Sequence, residues 1–331
     1  SLNASMVEHL KLKAESLKKL ISLKADDVVI DIGSNDATTL SFFENNVLKI
    51  GVDYTGSKFL EKYEEHKSRL VPDFFPSKKL DEIIKGKKAK IISSYSCFYD
   101  LPDPVFFAKE VSKILSSDGV WCLEQSYMPS MLETNSFDTI CHEHIEYYRL
   151  TDIKNICDYA DLEIKDVKFN DINGGSFSLI VAHKNSSISQ NDTVLDVLEK
   201  ENSKNWIQEF KNFNYRIEDL KDLTIKKLSH LKKEGKRVVG IGASTKGNVL
   251  LQYYGINSDL LECIGEVNKN KFGCKTPGTN IPIVNEDELL KTNPDYLFIL
   301  PWHFKEFFLN SRKFKGFKAI FPLPTMEIID I

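Results

Sequence analysis

The densest group of reactive side chains in this chain is the segment Cys141-His142-Glu143-His144-Ile145-Glu146-Tyr147-Tyr148. Two histidines, two glutamates and two tyrosines within eight residues are hard to explain as packing alone. A histidine beside a carboxylate has its tautomer fixed and its basicity raised, which suits removal of a proton near neutral pH. The segment therefore predicts acid–base chemistry, with His144 as general base assisted by Glu143.

Two other interpretations of this segment stay open. His142 and His144 have the spacing of a chelating pair, but no cysteine pair or obvious third ligand completes a zinc site, and HExxE differs from HExxH. We therefore predict no metal. Alternatively, the polar side chains form a buried network that ties a loop down.

A second informative stretch runs from Val28 to Asp53. Its apolar start ends in a tight turn at Gly33, and a helix that Asp36 could cap follows. A second apolar strand ends at Asp53, about 20 residues beyond the turn, where nucleoside-binding α/β sheets place a carboxylate on ribose hydroxyls. The spacing predicts a nucleoside site at the ends of these two strands.

The turn in that stretch reads Gly33-Ser34-Asn35-Asp36-Ala37. It has only the first of the three glycines that let backbone amides close around a pyrophosphate. A nucleoside without phosphates fits better, and S-adenosylmethionine is the common one. Methyl transfer is therefore the leading expectation.

A third candidate site is the turn from Gly240 to Asn248. Lys246 and Gly247 at the start of a helix suit an anion, through amide donors, the helix dipole and an ammonium group. The alternative is a surface lysine after a glycine that only serves a tight turn. The loop at Pro277-Gly278-Thr279 could lie beside this turn, or be an ordinary turn, and Trp302 reads as a core aromatic.

The elements that must position these groups alternate between strand and helix. Strands are predicted at Val28–Asp31, Lys49–Asp53, Arg69–Asp73, Ala89–Ser93 and Gly119–Gln125, with helices at 36–46, 57–66, 77–85 and 103–116. This alternation is typical of a parallel, doubly wound sheet. A hairpin around residues 163–183 could finish its edge, and residues 190–234 read as one or two long helices.

A second, smaller α/β unit is predicted from Lys236, with strands near 260–264, 281–284, 295–300 and 317–321. We expect three parts: residues 1–188 with the cofactor, a helical connector at 189–234, and a substrate-binding α/β domain at 235–331. The length of 331 residues is sufficient for two separate cores.

Bulk properties exclude several classes of partner. A net charge of −4 and a pI near 6.0 argue against nucleic acid. No apolar run approaches the roughly 18 residues of a membrane span, and the six scattered cysteines read as reduced thiols. We expect a soluble cytoplasmic protein with no membrane or nucleic-acid partner, and the sequence leaves its oligomeric state undefined.

Several motifs together resemble one family. GSND, EQSYMPSMLETNSFDTICHEHIEYY, NDINGGSF, GIGASTKGNVLLQYYGI, PGTNIPI and LPW occur in the order found in the S-adenosylmethionine-dependent sugar C-methyltransferases of nucleotide-sugar pathways. The resemblance covers about residues 1 to 325. It implies a Rossmann-like class I methyltransferase domain, a C-terminal α/β domain that helps to hold a nucleotide-sugar, and an N-terminal zinc-binding domain.

The resemblance also implies roles for individual residues. A base removes a proton next to a keto group, and the carbanion attacks the methyl group of S-adenosylmethionine, leaving S-adenosylhomocysteine. The predicted catalytic residues are His144, Glu143, Cys141 and Tyr147. The predicted cofactor contacts are Asp31, Gly33, Ser34, Asn35, Asp36, Asp53 and Ser94. The predicted substrate contacts are His142, Asn173, Lys246, Asn248 and Thr279.

The chain departs from this family at three points. Cys141 stands where the best-known members have tyrosine, and Asp100 lies where they tend to have a histidine. A donor for the enolate oxygen is then expected from Tyr147, Tyr148 or Asn173. The four-cysteine zinc domain is missing from this sequence, so zinc is expected only if a longer protein carries it.

The sequence therefore predicts C-methylation of a nucleotide-linked keto-sugar. One rival keeps the cofactor but methylates a hydroxyl or amine. Another is a nicotinamide-dependent sugar oxidoreductase, against which the missing GxGxxG at both turns argues. A third is a binding protein without catalysis, suggested by Cys141 and Asp100.

Overall fold

The computed structural model describes residues 4–331, without the side chains of Ala4 and Asn173. Contacts between residues group the chain into two compact units. The first contains the chain up to Tyr127, Ile145–Asn170 and Ser176–Ser203, and the second contains Met128–His144, Asp171–Gly175 and Lys204–Ile331. The predicted boundaries after residues 188 and 234 stay a prediction, since this grouping interleaves the chain.

The first unit contains a seven-stranded sheet. Its strands are β1 (Val28–Ile32), β2 (Leu48–Val52), β3 (Arg69–Val71), β4 (Ala89–Tyr95), β5 (Leu115–Ser126), β6 (Leu162–Asn170) and β7 (Ser176–His183). Their order is β3-β2-β1-β4-β5-β7-β6, in which only β7 runs antiparallel to its neighbours. The predicted doubly wound sheet and the hairpin at its edge are confirmed.

The second unit contains a six-stranded sheet. Its strands are β8 (Val238–Ile241), β9 (Ile264–Glu266), β10 (Ile283–Asn285), β11 (Tyr296–Ile299), β12 (Lys318–Phe321) and β13 (Glu327–Asp330). The order is β10-β9-β8-β11-β12-β13, and all neighbours are parallel except β12 and β13. The second α/β unit is confirmed, and the antiparallel edge strand β13 is an addition to it.

Helices cover the two sheets. They are α1 (Ala4–Leu20), α2 (Thr38–Ser41), α3 (Leu60–Glu65), α4 (Lys78–Ile84), α5 (Pro104–Ile114), α6 (Met128–Glu133), α7 (Leu150–Asp158), α8 (Asp192–Ser203), α9 (Trp206–Lys233), α10 (Thr245–Tyr254), α11 (Glu286–Lys291) and α12 (Lys305–Asn310). The region 190–234 forms two helices, as one of the two predictions had it. No helix among the described residues is long and apolar enough to cross a membrane.

The first predicted helix, 36–46, was wrong in extent, because only Thr38–Ser41 is helical. Ala37 occupies the N-cap position with φ 61°, a left-handed conformation that cannot belong to the helix. Asp36 therefore lies before the cap, where its carboxylate accepts hydrogen bonds from the Thr38 hydroxyl at 2.6 Å and from the Thr38 amide at 3.3 Å. In the turn after β1, Gly33 and Asn35 are exposed, whereas Ser34, Asp36 and Ala37 are buried.

Strand β1 lies in the middle of its sheet and is buried along its whole length. Its side chains alternate between two apolar cores, with Ile30 in one and Val29 in the other. The first core includes Phe107 of α5, and the second includes Leu17 of α1. Central strands of parallel sheets are covered on both faces in this way, which explains why four of the five residues of β1 are valine or isoleucine.

Candidate active site

The turn after β1 is tight because its backbone approaches a neighbouring segment. Gly33 has φ +76°, and a Cβ atom placed on it would lie 3.3 Å from the Cys97 Sγ atom. Asn35 also has a positive φ, 47°. Glycine is therefore required at the first position, and the turn presents its backbone, rather than side chains, to the adjoining space.

Asp53, which follows β2, fastens this turn. Its Oδ2 atom accepts a hydrogen bond from the Asn35 amide at 2.8 Å. Its Oδ1 atom accepts from the amide and the hydroxyl of Thr55, at 2.6 and 2.7 Å. The carboxylate is thus held in one orientation while its Oδ2 atom keeps capacity for a further donor, which fits the predicted contact with a ribose hydroxyl.

Two cavities adjoin at this point, and both are lined by Gly33, Asp53, Thr55 and Cys97. The more polar cavity has a volume of about 400 Å³. Its remaining lining is Met6, Leu10, Asp31, Ser34, Asn35, Asp36, Thr38, Thr39, Tyr95 and Ser96. Six of the seven predicted cofactor residues, all except Ser94, are thus brought together around it.

The second cavity, of about 460 Å³, is mainly apolar and aromatic, with Phe75 and Phe107 in its wall. At its rim the rings of Tyr54 and Phe74 stack with centroids 4.9 Å apart and an interplanar angle of 8°. A flat apolar slot beside Asp53, the carboxylate predicted to contact ribose, suits a purine base. Neither aromatic was among the predicted site residues, although each directly follows an acid, Asp53 or Asp73, that lies just beyond a strand.

Asp31 lies on β1 in the wall of the polar cavity. Its burial raises the pKa of the carboxyl to about 7, against the opposing effect of a hydrogen bond from the Ser93 hydroxyl at 2.6 Å. A carboxylate in this position gains most from a cationic partner, which would restore the charge that burial disfavours. The amino group of a methionine moiety is such a partner, so the cavity fits S-adenosylmethionine at both ends.

Two predicted cofactor residues, Ser34 and Ser94, form hydrogen bonds through their hydroxyls to other side chains of the protein. The Ser34 hydroxyl is 2.7 Å from the Tyr63 hydroxyl. The Ser94 hydroxyl accepts a hydrogen bond from the Trp121 indole at 2.8 Å inside the core. The cavity wall at the end of β4 is made instead by the following residues, Tyr95, Ser96 and Cys97.

The histidine-bearing loop belongs to the second unit. The His144 imidazole is half-buried, and it is hydrogen-bonded to the backbone of Thr139. Burial lowers the pKa of His144; the Thr139 bond and the Glu143 charge oppose this, and the Lys246 charge adds to it. The ring is consequently neutral at pH 7, the form in which it can accept a proton.

The predicted assistance of His144 by Glu143 stays a prediction. Its side chain is exposed, and its carboxylate lies 4.0 Å from the His142 ring. The His144 imidazole is hydrogen-bonded to the Thr139 backbone, and the charge of Glu143 acts on it as well. Cys141 is partly buried in the same loop.

Lys246 lies in the first turn of α10, whose N-cap is Ser244 with its hydroxyl 3.0 Å from the Gly247 amide. The side chain of this lysine is partly buried. Burial lowers the pKa of Lys246, against the charge of Asp138. Nearby, the Asn248 Oδ1 atom is buried without a hydrogen-bond partner among the described residues.

Asp138 is the group near Lys246 that the sequence analysis missed. It is fully buried, and its Oδ2 atom accepts a hydrogen bond from the Trp302 indole at 2.7 Å. Burial raises the pKa of Asp138 to about 6, and burial also lowers the pKa of His303 to about 3. Trp302 is buried as predicted, but its indole N–H has a specific polar partner.

The glycines after Asn173 allow this part of the second unit to pack closely. Gly174 has φ +89°, and an added Cβ would meet Ser136 Oγ at 3.4 Å and the Trp302 ring at 3.5 Å. Gly175 has φ +123°, and its Cβ would lie 2.6 Å from the Cβ of Ser130. The side chain of Asn173 itself lies outside the described part of the structure.

The remaining predicted residues lie elsewhere. Thr279 is buried in its own loop, with its hydroxyl 2.6 Å from that of Thr276. That loop packs against Gln252, which donates to the Pro277 carbonyl at 3.0 Å near the end of α10, whereas Lys246 lies at its beginning. Tyr147 is half-buried and belongs to the first unit. No group of three or more potential metal ligands occurs among the described residues.

Comparison with known families agrees with this arrangement. Residues 6–167 match a family described as methyltransferase domain, and residues 171–324 match the C-methyltransferase C-terminal domain. The chain belongs to the S-adenosylmethionine-dependent C-methyltransferases in which these two domains follow each other. The cofactor is S-adenosylmethionine.

One curated relative extends over nearly the whole sequence. C-methyltransferase NovU of Streptomyces niveus is 27% identical over 332 residues, which cover 98% of this chain and 79% of NovU. Among solved structures, the YcgJ protein of Bacillus subtilis covers 53% of this chain and 95% of its own, with 16% identity and a TM-score of 0.39. The match to an S-adenosylmethionine-dependent methyltransferase of Clostridium acetobutylicum covers 55% of this chain and 93% of that protein, with 11% identity and a TM-score of 0.42.

Proposed function

We propose that this C-methyltransferase acts on a keto-sugar carried by a nucleotide, at the carbon next to the keto group. The proposal is supported by the match of residues 171–324 to the C-methyltransferase C-terminal domain and by the second α/β unit itself. Carbon is a poor nucleophile until a proton is removed from it. A carbon-methylating enzyme therefore needs a base, and a neutral histidine suits that task.

Bound S-adenosylmethionine supplies a methyl group that is attached to a sulfonium ion. The sulfur departs as a neutral thioether when the methyl group is transferred. In the first unit, Asp53 would hold the ribose hydroxyls, and Asp31 would hold the amino group of the methionine moiety. The adenine ring would lie in the second cavity, beside Tyr54 and Phe74. Fixing the cofactor by both ends removes much of the entropy cost of alignment in an in-line displacement.

In the second unit, the observation that carries the proposal is the half-buried, neutral imidazole of His144, oriented by the Thr139 backbone. His144 would take the proton from the sugar carbon and hold it as imidazolium. Lys246 would favour the negative charge that develops on the enolate oxygen. Roles for Cys141, Tyr147 and His142 stay predictions of the sequence.

The two halves of the reaction can be tested separately. Proton removal is measured as exchange of the sugar proton with deuterium from solvent, in the presence of S-adenosylhomocysteine. Methyl transfer is measured as a gain of one CH₂ in mass across a panel of nucleotide-linked keto-sugars. Exchange without methyl transfer would show that proton removal occurs and that the transfer step fails. The absence of both reactions with every keto-sugar tested would refute the proposed substrate class.

A location in the cytoplasm is part of the same proposal. The supporting observation is that all six cysteines are free thiols, three of them buried. Nucleotide-linked sugars as substrates would be consistent with that compartment.

A further inference from the structure

We propose that His9 of α1 recognises the carboxylate of the methionine moiety of S-adenosylmethionine, through its Nδ1 atom, while Glu124 holds its Nε2 atom. The inference rests on the proposed contact between Asp31 and the amino group of the same moiety. It adds a contact for a different charged group of the cofactor. His9 is then a residue that selects ligands with a free carboxylate.

The first argument is the charge of the polar cavity. The described residues that line it include three acids, Asp31, Asp36 and Asp53, and no lysine, arginine or histidine. Carboxylates suit the ammonium and ribose groups of the ligand, but they repel its carboxylate. The amino group and the carboxylate of the ligand are attached to the same carbon atom, so an amino group at Asp31 brings the carboxylate to the same end of the cavity. A positively charged donor beside the wall would offset that repulsion.

The second argument is the position of His9 on α1. Two residues of this helix, Met6 and Leu10, form part of the cavity wall. His9 lies between them in the chain, and residues three or four apart share one face of a helix. Lys13 is on the same face but one turn further along. His9 is therefore the basic residue of this face that lies level with the cavity wall.

The third argument is that Glu124 fixes the imidazole ring. One oxygen of this buried carboxylate is 2.5 Å from the His9 Nε2 atom. The other is 2.5 Å from the Lys13 ammonium and accepts a hydrogen bond from the Asn170 amide at 3.0 Å. The carboxylate itself is thus held from three sides. Its contact with Nε2 limits rotation of the His9 ring.

The second nitrogen of His9 remains open to a ligand. Its Nδ1 atom has no hydrogen-bond partner among the described residues, and the side chain is 16% exposed. An imidazolium donates from both ring nitrogens, so that one N–H can bind Glu124 and the other a second carboxylate. Hydrogen bonds between two charged groups are about twice as strong as neutral ones. Because the ring is already oriented, little conformational entropy is lost when the ligand binds.

The test is isothermal titration calorimetry on the full chain with two ligands, S-adenosylhomocysteine and decarboxylated S-adenosylhomocysteine. The second ligand keeps the adenosine and the amino group but lacks the carboxylate. Wild type should bind S-adenosylhomocysteine at least about 10-fold more tightly than the decarboxylated ligand. His9→Leu should weaken binding of S-adenosylhomocysteine by about 10- to 30-fold and binding of the decarboxylated ligand by less than about 2-fold.

Two control variants separate recognition of the carboxylate from support of the fold. Lys13→Met removes the other contact between α1 and Glu124, and Asp53→Ala removes the proposed ribose contact. Each should weaken binding of both ligands by the same factor, because neither residue is assigned to the carboxylate. A selective loss in Lys13→Met that is absent in His9→Leu would overturn the assignment.

Two further results would contradict the proposal. Equal losses for both ligands in His9→Leu would show that His9 only braces α1. Equal affinities of wild type for the two ligands would overturn the proposal as well, and this result does not depend on the folding of any variant. No sugar enters these measurements. A keto-sugar that fails to react would therefore count against the proposed function alone.

Discussion

The carboxylate of Asp53 accepts a hydrogen bond from the amide of Asn35 at 2.8 Å, and so the end of one strand fastens the turn that follows its neighbour. The second unit has the same arrangement. There Glu266, at the end of β9, accepts a hydrogen bond from the Ala243 amide at 3.1 Å. The two acids differ in their remaining bonds. Glu266 also accepts from the amides of Val267 and Asn268, whereas Asp53 lines two cavities.

We expect Asp53→Ala to weaken binding of S-adenosylhomocysteine by about 10- to 100-fold, because hydrogen bonds to a charged group are worth about 1.5–3 kcal/mol. Isothermal titration calorimetry measures the change directly. Asp118→Asn is a suitable control, since Asp118 is exposed in the same unit and pairs with Lys90. Equal affinities of wild type and Asp53→Ala would show that the carboxylate only braces the turn.

Binding of the cofactor product should depend on pH through Asp31. The pKa of this buried group is about 7, so it loses its charge, and its attraction for the ligand ammonium, as the pH falls below 7. Affinity for S-adenosylhomocysteine should therefore decrease between pH 8 and about 6, and Asp31→Asn should abolish this dependence. A dependence that persists in Asp31→Asn would assign it to another group.

The raised pKa of Asp31 also affects the stability of the protein without ligand. An unfolded aspartate titrates near 3.8, so between that pH and 7 the folded chain binds one more proton at Asp31 than the unfolded chain does. The contribution of Asp31 to the free energy of unfolding is thus fully present below pH 3.8 and is lost as the pH rises through 7. The gain in melting temperature on adding S-adenosylhomocysteine should accordingly be larger at pH 8 than at pH 6.

Replacement of His144 by alanine should reduce turnover by about 10²- to 10⁴-fold, the usual contribution of a general base. Affinity for S-adenosylhomocysteine should not change, because the cofactor cavities belong to the first unit. His230→Ala, at an exposed position on α9, provides the matched control. Turnover that survives in His144→Ala would refute the assignment of the base.

Glu124 should hold α1 in place. This buried carboxylate contacts His9 and Lys13 of α1, each at 2.5 Å. Burial alone would raise the pKa of Glu124, but the two partners hold it below its usual value. The resulting stability is present at neutral pH and is lost as the pH falls through that lowered pKa.

Glu124→Gln should therefore destabilise the protein by about 3 kcal/mol, the effect of breaking a buried ion pair. Amide exchange in α1 should become faster. Because Met6 and Leu10 of α1 line the polar cavity, S-adenosylhomocysteine should also bind more weakly. Glu110→Gln, which removes an exposed pair with Lys113, should have little effect on either measurement. Unaltered exchange in α1 would show that its apolar contacts suffice.

The sequence by itself determined the parallel sheet and the cofactor turn. Strands such as β1 are mainly apolar, and Gly33 and Asp53 follow two of them, so local pattern and spacing were sufficient. The limits of helices were less well determined, as Ala37 shows, because a left-handed residue depends on the packing of the turn.

Only the tertiary structure decided what surrounds His144. Asp138 and Trp302 are 164 residues apart in the chain, and their hydrogen bond forms because separate segments meet in the second unit. Lys246, for which the sequence left both an anion site and a surface position open, is partly buried. His144 is hydrogen-bonded to the Thr139 backbone, a contact that the sequence did not indicate. Periodicity reports which face of an element is buried, but the partner that an individual polar group meets depends on how distant segments pack.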